Sequence, residues 1–174
     1  AKHVAQKLKV KKVSIYKTFG TAAFIYQNII LEFNGARKES YIKESRDPIV
    51  SNGTILEDQK RRDFTINAMS ISLNKKNYGE LIDPFEGLSD LKNKIITTPL
   101  DPDKTYSDDP LRMMRAIRFS SVLGFEIDES SIESIKRNSS RLKIIKQERI
   151  TDELNKIILS SLSLIHISEP TRPS

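Results

Sequence analysis

The spacing of apolar residues changes its rhythm along the chain. Val13-Ser14-Ile15-Tyr16, Thr21-Ala22-Ala23-Phe24-Ile25-Tyr26 and Ile29-Ile30-Leu31-Glu32-Phe33 are short runs rich in β-branched and aromatic residues. Such runs predict strands, with Gly20 punctuating the first two. The two polar residues Gln27-Asn28 predict a tight turn that makes the last two an antiparallel hairpin. Val4 and Leu8 ahead of them read as the tail of a helix. Positions 43–60 are polar, contain Pro48 and Asn52-Gly53, and predict a mobile loop.

A second rhythm begins at Phe64. Phe64, Asn67, Ala68 and Ile71 follow the i, i+3, i+4, i+7 rule and predict a helix ending near Met69. Arg62 and Asp63 would then occupy its first turn, where unpaired backbone N–H groups favour an anion. A strand-like 68–73 overlaps its end, and 75–77 reads as a turn. Asp83-Pro84 and Gly87 mark a boundary where the β-rich pattern stops.

Beyond Pro99 and Pro102 the spacing is helical. Asp109-Pro110 predicts a helix start, with aspartate as N-cap and proline first in the helix. Leu111, Met114, Ile117, Val122 and Leu123 are its expected buried contacts, and Gly124-Phe125 its end. Ser130-x-x-Glu133 predicts a capping box for a helix with Ile132 and Ile135 inside. Ile150, Leu154, Ile157 and Ile158 form the apolar stripe of a last helix. The chain thus reads as α+β, with a β-rich head over 1–88 and an all-helical region over 89–161.

Composition narrows the function classes. At 174 residues the chain holds one ordinary domain or two small ones. No apolar run nears membrane-spanning length and no secretory leader is visible, so no membrane association is expected. Without cysteine, disulfides and thiolate metal sites are excluded. His3 and His166 leave no histidine cluster for zinc, so a metal here would be a hard one on carboxylates. The 29 basic and 23 acidic residues give +6, and the pI is near 9.4. That agrees with a polyanion partner such as RNA, although many ordinary proteins are equally basic. The chain opens on Ala1, and 162–174 resembles the translation of a sequencing-library adapter. The expectation is a fragment cut at both ends that carries a non-native tail.

Several side chains invite two readings. Asp63 is a helix cap or a ligand contact, and Asn67 is satisfied internally or by a ligand hydroxyl. Glu32 is the solvent side of an alternating strand or a metal ligand. Arg112, Arg115 and Arg118 are three apart and spread over a sector of about 120° on a helix. Like charges in one stripe repel unless acids or a polyanion face them. Arg149 and Glu153, four apart, suit a surface pair worth a few tenths of a kcal/mol.

Five stretches resemble motifs of the tRNA nucleotidyltransferase and bacterial poly(A) polymerase family. Arg61-Arg62-Asp63-Phe64-Thr65-Ile66-Asn67-Ala68-Met69 is similar to its second signature, which binds the ribose and phosphates of the incoming nucleotide. In the stretch 32–41, Glu32 corresponds to a carboxylate that joins two aspartates of an earlier strand in holding magnesium, with Arg37 near the triphosphate. Asp83, Gly87 and Asp90-Leu91 match the short motif that joins the head to a helical neck and acts as a hinge. Tyr106-Ser107-Asp108-Asp109-Pro110-Leu111-Arg112 resembles the acid-Asp-x-x-Arg motif, whose aspartate and arginine serve as a protein template for the base. Asp108 stands where glutamate is common, and Pro110 is unusual there. Arg115 and Arg118 extend the nucleotide-binding stripe, and Arg149 and Glu153 match the last motif, which braces the neck.

The resemblance covers about 11–159. It implies a partial head of the polymerase β-like nucleotidyltransferase type and an all-α neck. The activity implied for the full-length protein is addition of C and A from CTP and ATP to the 3′ end of tRNA, with Mg²⁺ and in the cytoplasm. A poly(A) polymerase, or a CC-only or A-only transferase, would share every motif. A non-catalytic RNA-binding module is the alternative from another class. No Asp-x-Asp strand precedes Val13, so the isolated chain is expected to be inactive. Asp101-Pro102-Asp103 has the spacing, but proline does not suit a central strand.

Overall fold

The computed structural model describes residues 1–16, 20–40 and 48–160. A short helix α1 (Lys2–Lys7) leads into a three-stranded antiparallel sheet of β1 (Ser14–Tyr16), β2 (Thr21–Tyr26) and β3 (Ile29–Asn34). Gln27 and Asn28 both have positive φ, 48° and 64°, in the two-residue turn that pairs Tyr26 with Ile29. Paired left-handed residues are the signature of a type I′ turn, whose twist matches that of the flanking strands. Phe24 and Phe33 stack across the hairpin with centroids 5.4 Å apart.

A second antiparallel pair follows, β4 (Arg37–Ser40) with β5 (Ile49–Asn52), and then α2 (Ile55–Lys60). Thr54 and Glu57 form a full capping box at the start of α2. The loop expected over 43–60 is therefore largely regular structure. The strand β5 exposes every residue, Ile49 and Val50 included, and α2 exposes Ile55 and Leu56 while burying Gln59. Positions 43–47 of that loop lie outside the described residues.

The helix expected from Phe64 is a single 3-10 turn, Thr65–Asn67. Arg62 and Asp63 follow the end of α2 instead of opening a new helix. The stripe did not extend because Ile71 belongs to β6 (Ser70–Ile71), which pairs with β7 (Leu81–Ile82) and leaves Ile71 exposed.

The remaining chain is mostly helical: α3 (Gly87–Asn93), α4 (Pro102–Asp108), α5 (Leu111–Leu123), α6 (Glu129–Asn138) and α7 (Gln147–Ile158). One parallel pair, β8 (Ile95–Ile96) with β9 (Glu126–Ile127), joins the link after α3 to the link after α5. Asp101 caps α4 with Pro102 in its first turn, so Asp101-Pro102-Asp103 is a helix start. Helix α5 begins one residue later than expected, with Pro110 at the cap position, yet Asp109 Oδ1 still accepts from Leu111 N at 3.2 Å. Its buried face is Leu111, Met113 and Ala116, while Ile117, Val122 and Leu123 are exposed. Helix α6 is capped by Asp128, not Ser130, and buries Ser131 and Ser134 while Ile132 stays exposed. On α7 the buried residue is Glu153; Leu154 and Ile158 are exposed.

The core explains these rotations. Phe64, Ile96, Tyr106, Met113 and Ala116 form one buried cluster, with Phe119, Phe125 and Ile135 packed against it. Phe64 meets Phe119 edge to face at 5.5 Å. A residue of the 61–69 stretch thus sits inside the helical region's core, and α5 turns Met113 and Ala116 toward it. Among the described residues no helix is long and apolar enough to cross a membrane.

Candidate functional site

The turn of chain at 58–67 positions the charged residues. Helix α2 ends at Lys60, and the chain then places Arg61 and Arg62 at one cavity and turns Asp63 to Arg115. Arg61 and Arg62, with Glu32, Asn34 and Arg37 from β3 and β4, line an open cavity of about 380 Å³. Alternation along β3 puts Glu32 and Asn34 on the same face, so the strand's period sets the cavity wall. Glu32 is exposed.

The arginines are held from behind. Asp58 Oδ1 accepts from Arg61 Nη2 at 2.6 Å and from the backbone N of Arg37 at 3.2 Å. Asp58 Oδ2 accepts from Arg62 Nη2 at 2.9 Å. Glu39 pairs with Arg37 Nε at 3.1 Å and with Arg61 Nη1 at 3.2 Å. Burial alone would raise the pKa of Asp58, but its hydrogen bonds from Arg61 and Arg62 outweigh that and hold it below the usual carboxylate range.

Asp63 is engaged on all sides. Its Oδ1 accepts from Phe64 N at 3.0 Å and Asn67 Nδ2 at 3.2 Å. Its Oδ2 accepts from Arg115 Nε at 2.8 Å and Nη2 at 2.5 Å. Asn67 is thereby satisfied internally on its amide nitrogen, while the residue also lines a second cavity, of about 480 Å³, together with Arg62.

The arginine stripe of α5 splits three ways. Arg115 goes to Asp63, and Arg118 Nε donates to Glu153 Oε2 at 2.6 Å while lying 4.2 Å over the Phe119 ring. Arg112 Nη2 donates to the backbone carbonyl of Arg61 at 2.7 Å. Among the described residues Arg112 makes no ion pair, and it lines a third cavity, of about 170 Å³, with Arg61, Lys104 and Asp108. Burial raises the pKa of Asp108, against the opposing pull of Lys104, Arg112 and Arg141. Asp109 lies two residues before Leu111 and carries the cap contact described above. The Arg149–Glu153 surface pair does not form: Glu153 is buried and turns to Arg118 and to Lys156, and Arg149 is exposed.

Two links were not anticipated. Thr65 Oγ1 donates to Asp90 Oδ2 at 2.6 Å, and Asp83 accepts from the backbone N of Gly87 and Leu88, both at 2.8 Å. The boundary stretch is thus pinned to the 61–69 stretch and to its own helix. The Asp58 network was also missed, although Asp58 stands three and four residues before Arg61 and Arg62, the spacing that pairs charges on a helix.

A fit to a divalent cation can be judged from the donors. Glu32 is one exposed carboxylate at a cavity, and among the described residues no three acids or histidines cluster. One carboxylate is enough only where phosphate oxygens and water supply the rest of the shell.

The chain is similar to known proteins over most of its length. Residues 1–97 match the family described as poly A polymerase head domain. Residues 124–165 match one described as a probable RNA and SrmB-binding site of polymerase A. The chain is 39% identical over 154 residues to the CCA-adding enzyme of Lactobacillus helveticus (strain DPC 4571), covering 87% of this chain and 38% of that protein. It is 40% identical over 156 residues to the A-adding tRNA nucleotidyltransferase of Aquifex aeolicus (strain VF5), covering 88% of this chain and 19% of that one. A CCA-adding enzyme in an apo form superposes with a TM-score of 0.85 at 33% identity, over 95% of this chain and 39% of that chain. A tRNA nucleotidyltransferase complexed with a primer tRNA and an incoming ATP analog gives 0.77 at 33% identity, over 94% and 45%. The chain therefore spans less than half the length of each of these relatives.

Proposed function

Since the chain belongs to the poly A polymerase head-domain family, we propose that it is the nucleotide-binding part of a transferase that adds C and A to the 3′ end of tRNA. The observation that carries the reading is the split of the arginine stripe. Arg115 and Arg118 are matched by buried acids, whereas Arg112, among the described residues, makes no ion pair, donates to a backbone carbonyl and lines a cavity. A guanidinium with unused donors beside a cavity suits recognition of a base edge. Its neighbour Asp109 would accept from the exocyclic amine that cytosine and adenine share.

The family generally uses divalent metal ions, and we take the ion here to be Mg²⁺. Glu32 would hold it together with nucleotide phosphates, and the bound ion would neutralise triphosphate charge. Arg37 and Arg62 would contact the phosphates. Asn67 would meet the sugar through its carbonyl oxygen, since its amide nitrogen is turned to Asp63. Asp63 would act through Arg115 and Asn67, because its own oxygens are occupied. Glu153 would brace the neck through Arg118, and Arg149, exposed on α7, would be the other residue of that brace. We keep the division between head and neck near residue 88 as a functional one, because the Phe64 core spans it.

The test uses a full-length protein containing this chain. Given tRNA without its terminal CCA, Mg²⁺ and labelled CTP and ATP, it should add two C and one A and stop. Long A tracts from ATP alone would establish the poly(A) polymerase reading instead, and A added only to tRNA ending in CC the A-adding one. Binding of tRNA without extension would favour a non-catalytic module.

A further inference from the structure

We infer that Asp58, through Arg61, Arg62 and the backbone of Arg37, is a positioning residue that aims the cavity's arginines at a polyphosphate. The inference rests on the nucleotide reading above and names a residue outside the contacts assigned there. Three arginines, Arg37 on β4 and Arg61 and Arg62 just after α2, line one cavity. Like charges so close repel, and each long side chain loses rotamer freedom when held in place. Something must fix them from behind.

Asp58 does so with both oxygens. Oδ1 takes the Nε and Nη2 of Arg61 at 3.1 and 2.6 Å and also the Arg37 backbone. Oδ2 takes Arg62. The Arg61 side chain is 16% exposed and, with Glu39 on its remaining nitrogen, is committed to the framework. The Arg62 side chain is 45% exposed and, among the described residues, gives one nitrogen to Asp58, which leaves further N–H donors for a ligand in the cavity it lines. The contact from Arg37 N fixes the start of β4, and with it the direction in which the Arg37 side chain leaves the strand. A carboxylate in that place preorganises the donors before a ligand arrives, which lowers the ordering cost of binding.

The test is calorimetric titration of the whole 174-residue chain with inorganic tripolyphosphate and, separately, with CTP, at a temperature where circular dichroism shows every variant folded. Asp58→Asn is expected to weaken tripolyphosphate binding roughly tenfold, equivalent to about 1.4 kcal/mol. In an Arg62→Gln background the same change should cost less than about twofold, because coupled residues do not add. Unchanged affinity in Asp58→Asn, or full additivity with Arg62→Gln, would overturn the inference and leave the nucleotide reading standing. Should Asp58→Asn fail to fold, Asp58→Glu keeps the charge but displaces it by one methylene. A weaker tripolyphosphate affinity is then expected, and a parental one overturns the inference. If the parent chain binds neither tripolyphosphate nor CTP, the nucleotide reading falls first and takes this inference with it.

Discussion

Arg115 on α5 and Asp63 after α2, 52 residues apart, meet through two nitrogens on one carboxylate oxygen at 2.8 and 2.5 Å. The other oxygen takes Phe64 N and Asn67 Nδ2, so four donors fill the roughly four lone-pair sites of a carboxylate. Phe64, the next residue, is fully buried in the core that α5 builds. The ion pair and the core therefore fasten the same two segments, one by charge and one by packing.

Removing the acid should cost more than removing the base. Asp63→Ala leaves a guanidinium and a buried backbone N–H without their acceptor, and a loss of about 3 kcal/mol is expected. Arg115→Ala should cost less, because the arginine side chain is a third exposed and water can serve the carboxylate there. Urea unfolding of both single variants and the double variant measures the coupling. Full additivity would show that the two do not act as a pair.

Gly87 opens α3 directly against the 3-10 turn. A Cβ there would stand 2.3 Å from the carbonyl oxygen of Thr65, which is backbone and cannot swing aside. Gly87→Ala is expected to lose about 1–3 kcal/mol by overpacking. Gly35→Ala, where a Cβ meets nothing within 4 Å, is the control and should leave the unfolding midpoint in place. Equal midpoints for the two variants would mean that the Thr65–Gly87 contact gives way cheaply.

The first hairpin was legible in the sequence, and most of the burial was not. The hairpin with its Gln27-Asn28 turn can be read because φ preferences and the period of two are local properties. The stripe from Phe64 to Ile71 misled because a long-range event, the pairing of β6 with β7, overrode the helical period after one turn. On α5 the apolar residues alone suggest Ile117 and Val122 as core. Phe64 arriving from the head instead selects Met113 and Ala116. The charged residues followed the same rule. Local spacing could have shown Asp58 with Arg61 and Arg62, whereas Arg115 with Asp63 and Arg118 with Glu153 depend on tertiary placement.

Two carboxylates should respond to acid in opposite directions. Asp58 lies below its ordinary pKa, so its stabilisation is present above about pH 4 and is lost as pH falls through the folded value. Asp108 lies above its ordinary value because burial disfavours the ion. Its contribution is fully present below about pH 4 and is lost as pH rises through the folded value. Unfolding free energy followed from about pH 3 to 7 should therefore fall less steeply toward acid in Asp58→Asn than in the parent. In Asp108→Asn the loss on raising the pH should disappear, giving a variant at least as stable as the parent at neutrality. A drop in stability at pH 7 for Asp108→Asn would show that Lys104, Arg112 and Arg141 outweigh burial.

The last expectation concerns base choice in the full-length protein. Arg112 donates to the Arg61 carbonyl, makes no ion pair among the described residues and lines the cavity. If it donates to the ring edge of cytosine or adenine while Asp109 accepts from the amine, uracil and guanine present the wrong pattern. They would then leave a buried charge without a partner. Arg112→Ala should weaken use of both CTP and ATP and relax discrimination against UTP, because the penalty for an unpaired guanidinium vanishes. Asp109 has a second role to separate, since its Oδ1 accepts from Leu111 N at the start of α5. Loss of that cap alone costs about 1 kcal/mol of stability and leaves base preference alone. The measurement is the CTP-to-UTP ratio of kcat/KM for the parent, Arg112→Ala and Asp109→Ala, under conditions where all three are folded. A lowered ratio in both variants is expected from a template pair. A parental ratio in both, with only the unfolding midpoints reduced, would leave α5 a structural helix and return base selection to residues elsewhere in the protein.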